Sequence, residues 1–140
     1  MYSQMLIHPA LAMLLLTFIV AMAMMWTRVK AMRLHKVLPE RAEDASKLKG
    51  LLPREIMRIS DNYNHLHEQP IVFYALCGFI TMANNVDETF VYLAWIYVLF
   101  RVFHSITQIC LVNVMRRFVL FLCSWLLLGT IIIRFLLQLI

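Results

Sequence analysis

The chain has 140 residues, 62% of them hydrophobic and only 15% charged, with a formal net charge of +5. A soluble domain is about half apolar and about a quarter charged, and a mean hydropathy of +0.75 leaves more apolar surface than a water-soluble globule can hide. Soluble enzymes, disordered chains and disulfide-built secreted domains are therefore excluded, and an all-α, multi-pass integral membrane protein is expected.

Residues 1 to 27 contain no Asp, Glu, Lys or Arg. They predict a first spanning helix over about 6–27, since ~20 mostly apolar residues cross the hydrocarbon core. The long apolar run, basic only at its far end, argues against a cleavable signal peptide. Met22, Met24 and Met25 read as adaptable packing or lipid contact. A basic connection over about 28–53 follows, and its stretch from Pro39 to Pro53 has the polarity and punctuation of a mobile loop. Pro53 suits a helix start, so the second helix is expected over 54–84, entering the membrane near His67 and kinked at Pro70. Asn84 to Glu88 is an acidic turn. The third helix, about 89–110, carries Arg101 as its one Lys, Arg, Asp or Glu; the fourth, about 116–138, is interrupted by Arg134. Arg134 lies late enough to reach the opposite interface, where Asp87 or Glu88 receives it. Trp26, Trp95 and Trp125 are candidates for interfacial belts. Cys77, Cys110 and Cys123, odd in number and all within spans, read as small buried hydrophobes.

Nine of the thirteen Lys and Arg residues fall between the first and second spans, and Arg116 and Arg117 sit between the third and fourth. The positive-inside rule places both of these connections in the cytoplasm and both termini outside. The positive charge is then a topology signal with some attraction to anionic lipid, and no aromatic-basic interleaving points to nucleic acid.

Ionisable groups at membrane depth are costly, so each is a candidate for function. Arg58, Asp61, Asn62, His65, Glu68 and Gln69 recur at three- and four-residue steps on the second helix, as do Arg101, His104, Ser105 and Gln108 on the third. The two stripes are expected to share one wet cavity near the cytoplasmic side. They also fit interhelical glue, with Arg101 paired to Glu68 as a buried lock. A metal site is disfavoured, because His65 and His67 point to different helix faces and no HExxH or paired ExxH motif is present.

Asn62-Tyr63, then Glu68-Gln69-Pro70-Ile71-Val72-Phe73-Tyr74, resembles the second-helix signature of the MAPEG proteins (membrane-associated proteins in eicosanoid and glutathione metabolism), in particular their bacterial branch. Leu93 to Val98 with Arg101-Val102-Phe103-His104-Ser105 is similar to the family's third helix, and Asn113 to Arg117 to its last turn. The resemblance implies a homotrimer of four-helix subunits in a membrane, the inner membrane if the chain is bacterial. Its active sites would lie between subunits, where glutathione attacks hydrophobic small molecules. On that pattern Arg101, His104 and Arg117 are the catalytic candidates. Arg28, Arg33, Arg58, Asn62, His65, Glu68, Gln108 and Arg116 are the candidates for holding glutathione, with Glu68 receiving its amino group. The glutathione-using members carry Arg-x-x-x-Asn-x-x-Glu on the second helix, and those positions here are Asp61, His65 and Glu68; a Tyr four residues after His104 is here Gln108. The expected function is thus a glutathione-dependent transferase or peroxidase. The alternative is a non-catalytic protein on the same scaffold that binds a lipid or quinone-like ligand or joins a larger membrane complex.

Overall fold

The computed structural model describes residues 4–37, 51–111 and 113–140. Arg41, Lys47, Lys49 and the expected mobile loop up to residue 50 lie outside the described residues. Helix α1 runs Ile7–Leu34, α2 Arg54–Met82, α3 Glu88–Ile106 and α4 Val114–Leu139; a π-helical turn, Thr107–Leu111, extends α3.

α1 continues beyond residue 27, where its apolar run ends, so Arg28 and Arg33 are helical and not part of a loop. Arg28, Lys30, Ala31, Met32 and Leu34 are good helix formers with no breaker among them; loss of apolar character marks an exit from hydrocarbon, not the end of a helix. The end is set by backbone geometry. Lys36 takes φ 52, the Val37 N–H donates to the Met32 carbonyl at 3.0 Å and the Lys36 N–H to that of Arg33 at 3.4 Å. This is a Schellman closure without glycine. Asn84, at φ 55, closes α2 in the same way, with the Asn85 N–H donating to the Ile80 carbonyl at 3.2 Å. Asp87 caps α3 by accepting from the Phe90 N–H at 2.9 Å. Asn113 caps α4 by accepting from the Arg116 N–H at 3.1 Å. Both residue types are favoured there because their side-chain oxygens satisfy otherwise orphaned donors.

Among the described residues three stretches are long and apolar enough to cross a membrane: Ile7–Leu34, Glu88–Leu111 and Val114–Leu139. α2, expected as a fourth span, is 29 residues long but is polar over its first half. It hides part of that polarity by turning Ser60, Asn62 and Gln69 inward. The helices alternate in direction. The start of α1 packs beside the end of α2, where Leu6 and Ala10 face Tyr74, Cys77 and Thr81. The start of α3 meets the end of α4 at Asp87 and Arg134. Between them lies one continuous core containing Met13, Leu66, Phe73, Ile80, Phe90, Tyr97 and Leu128. Phe73 stacks on Tyr97 with ring centroids 4.4 Å apart. Leu11, Leu15 and Phe18 on α1 and Leu126, Ile133 and Leu137 on α4 are exposed, forming an apolar surface suited to lipid or to neighbouring copies. Cys110, expected to be buried, is also exposed, whereas Cys77 is buried.

Candidate functional site

The polar stripe of α2 does not face one way. Consecutive residues on a helix are turned by about 100°, and that turn separates Glu68 from Gln69. Gln69 is 1% exposed, and its Oε1 accepts from Arg101 Nη1 at 3.0 Å. Glu68 points outward, with its side chain 64% exposed and its carboxylate 3.0 Å from His65 Nδ1. The expected Arg101–Glu68 lock is therefore replaced by a bond from Arg101 to the neighbouring amide. Arg101 Nη2 donates to the His65 carbonyl at 3.0 Å. Pro70 removes the donor owed to the Leu66 carbonyl and crowds that turn, and the guanidinium binds the backbone one residue upstream. Arg101 is 0% exposed. Its role in the described contacts is to tie α3 to the proline-weakened turn of α2.

Below Arg101 a buried polar seam descends α3 toward the π-helical turn. His104 Nδ1, Ser105 Oγ, both amide atoms of Gln108 and both amide atoms of Asn62 have no hydrogen-bond partner among the described residues. Buried polar atoms are normally satisfied, and leaving one unpaired costs about 1–3 kcal/mol. Six of the eleven such atoms among the described residues fall in this seam. The π-helical turn contributes by keeping both Thr107 and Gln108 buried, with Thr107 Oγ1 donating to the His104 carbonyl at 2.8 Å. Widened turns of this kind frequently accompany functional sites.

Two cavities open at this end of the bundle. The first, of about 250 Å³, is lined by Arg54, Met57, Arg58 and Asp61 from α2, by Thr107 and Gln108, and by Asn113, Val114 and Arg117. The second, of about 210 Å³, is lined by His65 and His104, by Val114 and Arg117, and by Phe118 and Phe121. Arg117 and Val114 belong to both, so a polar chamber and an aromatic chamber meet at one guanidinium. The His65 and His104 rings stand edge to face 6.2 Å apart, and His104 lies 6.4 Å from the Phe121 ring.

Of the residues expected to form the site, Arg58, Gln108 and Arg117 line the polar chamber, and His65, His104 and Arg117 the aromatic one. Asn62 is fully buried and Arg101 sits above, and neither lines a chamber. Arg116 is exposed and lines neither. Arg33 lies elsewhere, with Lys30 on an apolar groove of about 910 Å³ along Met22, Met25 and Trp26 of α1. Arg28, on the same helix, joins neither chamber. The single shared cavity expected from the two stripes is thus two chambers, with the α1 arginines apart. Arg54, Asn113, Phe118 and Phe121 were missed as site residues, whereas Asp61 already belonged to the α2 stripe. Arg54 lies four residues before Arg58 and seven before Asp61, a spacing that would have found it; Phe118 and Phe121 read as ordinary lipid-facing aromatics until α4 is packed.

The opposite end is closed by charge. Arg134 binds Asp87, as the sequence suggested, and lies 5.2 Å from the Phe90 ring. Gln138 Nε2 adds a bond to Asp87 at 3.2 Å. Burial works against ionisation of Asp87, but the Phe90 N–H, Arg134 and Gln138 outweigh it and hold the carboxyl below its ordinary value.

The model of the MAPEG family matches residues 6–137, nearly the whole chain, and the chain belongs to that family. No curated protein and no solved structure matches it.

Proposed function

We propose that this MAPEG-family protein is a membrane transferase or peroxidase. In this reading glutathione, or a related anionic thiol, binds at the cytoplasmic end of the bundle and reacts with a lipophilic electrophile arriving through the bilayer. The observation that carries the reading is Arg117, which lines both the polar and the aromatic chamber. A charged peptide and an apolar molecule need unlike surroundings and one shared boundary. The thiolate is the reacting form of a thiol, and a guanidinium at that boundary favours it over the neutral thiol. Its sulfur would bond to the electrophilic carbon, while the displaced or ring-opened atom takes the electron pair and a proton. His104, which lines the aromatic chamber and has an unpartnered Nδ1, would hydrogen-bond that atom. Arg101 would act as a positioning residue through His65, whose carbonyl it holds.

The family's trimeric arrangement, with sites between subunits, would account for Arg28 and Arg33. They stand apart from both chambers of their own chain, and a neighbouring copy would present them. The membrane setting is supported by the family match and the three apolar helices.

Asp61 favours a second reading, because a carboxylate in the polar chamber repels a second carboxylate and suits a scaffold that has given up thiol chemistry. Titration of the purified protein in detergent with glutathione, following thiolate absorbance and conjugation of a lipophilic electrophile, separates the two. The transferase reading expects saturable thiolate formation and turnover. Absence of binding at millimolar thiol refutes it in favour of a non-catalytic lipid- or quinone-binding protein.

A further inference from the structure

The polar chamber carries charges of both signs. Arg54, Arg58 and Asp61 lie at i, i+4 and i+7 on one face of α2, and Arg117 faces them from α4. A site for a simple anion gains nothing from Asp61. The residue is exposed, and among the described residues it is ion-paired to none of the three arginines. The opposite wall supplies Gln108, 3% exposed, with both its amide nitrogen and its amide oxygen unpartnered. A primary amide offers a donor and an acceptor at once. The chamber therefore presents paired complements: guanidinium and amide N–H for a negative group, carboxylate and amide oxygen for a positive one.

We propose that this chamber recognises an α-amino acid group by both its charges, with the ammonium at Asp61 and the carboxylate at Arg54 and Arg58. In glutathione that group is the free end of the γ-glutamyl residue, so the assignment rests on the thiol reading given above. The charges are complementary in sign: Asp61 meets the ammonium, Arg54 and Arg58 meet the single carboxylate of that end, and Arg117 remains for the rest of the peptide. The volume sets the orientation. A chamber of about 250 Å³ is smaller than the ~300–1,000 Å³ of drug-sized sites, so it takes one end of a tripeptide. Arg117, shared with the aromatic chamber, is left at the end that carries the sulfur. Glu68, which the family pattern suggests for the amino group, lines neither chamber and holds His65 instead.

The test compares glutathione with glutathione acetylated on its α-amino nitrogen, by calorimetric titration into the full-length protein in detergent. The wild type should bind the acetylated compound at least about tenfold more weakly. Asp61→Asn should bind glutathione as weakly as the wild type binds the acetylated form and show no preference between them, and Asp61→Glu should restore part of the preference. Equal binding of both compounds by the wild type overturns the assignment while leaving the thiol reading intact. Binding of neither overturns both. Tighter binding of both compounds by Asp61→Asn also overturns it, by showing that Asp61 only repels. The wild-type comparison stands alone if a variant does not fold.

Discussion

Replacing Arg101 by alanine separates a structural role from a binding role. The guanidinium is fully buried and makes two interhelical bonds, to Gln69 Oε1 and to the His65 carbonyl, each at 3.0 Å. Hydrogen bonds to charged groups contribute about 1.5–3 kcal/mol each, which sets an upper figure of about 6 kcal/mol for the pair. Interhelical bonds inside membranes average only ~0.6 kcal/mol, because the unfolded helices find other partners. The lower figure is then about 1 kcal/mol. The His65 carbonyl sits beside a turn already weakened by Pro70, and Gln69 keeps no other described bond, so the loss should fall near the middle. We expect about 3 kcal/mol, or about 10 °C in Tm for a chain of this size. Thermal unfolding in detergent reads this directly, alongside a glutathione titration below the new Tm. Arg101→Lys should recover part of the stability, since an ammonium keeps the charge but not the fork that reaches two acceptors. A wild-type Tm for Arg101→Ala, combined with lost thiol binding, would refute the structural reasoning and return Arg101 to the reacting groups.

Arg117→Ala should lower kcat/KM for conjugation by at least about tenfold with little change in Tm; Arg116→Ala, which touches neither chamber, should leave both near wild type. Phe73→Ala removes a fully buried ring stacked on Tyr97 and should cost about 3–5 kcal/mol, read as a fall in Tm. Asp87→Asn should keep the α3 cap and lose the Arg134 pair, for under about 1 kcal/mol at this partly exposed site. Its clearer signature is in pH. Because folding lowers the Asp87 pKa, the unfolded chain binds the proton more readily. The carboxylate's contribution is therefore present above the ordinary value near ~4 and is lost as pH falls through the folded value. Acid melting of Asp87→Asn should be flatter than wild type below about pH 5, and parallel curves would contradict the direction of the shift.

The sequence shows the helices because charge is scarce in it. Gaps between charged residues locate α3, α4 and the start of α1 to within a few residues, and Pro53 marks the start of α2 by chemistry that acts locally. The end of α1 was illegible for a different reason: Lys36 adopts a left-handed conformation that no residue type announced. The Arg101 partner was misread because spacing gives a face only to within a turn, and one residue of rotation exchanges Glu68 for Gln69. The division into two chambers was also beyond reach. It depends on how α4 lies against α2 and the π-helical turn, and periodicity within one helix carries no information about that.

The two ends of the bundle use polar groups in opposite ways. At the Asp87 end the carboxylate is saturated by Phe90 N–H, Arg134 and Gln138, and α3 is bound to α4. At the Arg117 end Gln108 Nε2 and Oε1, His104 Nδ1 and Ser105 Oγ are buried with no hydrogen-bond partner among the described residues, and Arg54, Arg58 and Asp61 stand around a space. A fold that satisfied polar groups wherever it could would have paired these as well. The cost of leaving them unpaired is borne by the apolar core between the ends, centred on Phe73 and Tyr97, which keeps the helices together without their help. Closing the polar chamber with an internal ion pair, for instance by Gln108→Glu facing Arg58 and Arg117, should therefore raise Tm and lower affinity for an anionic peptide. A variant that gained both stability and affinity would show that the unpaired groups are not what the ligand uses.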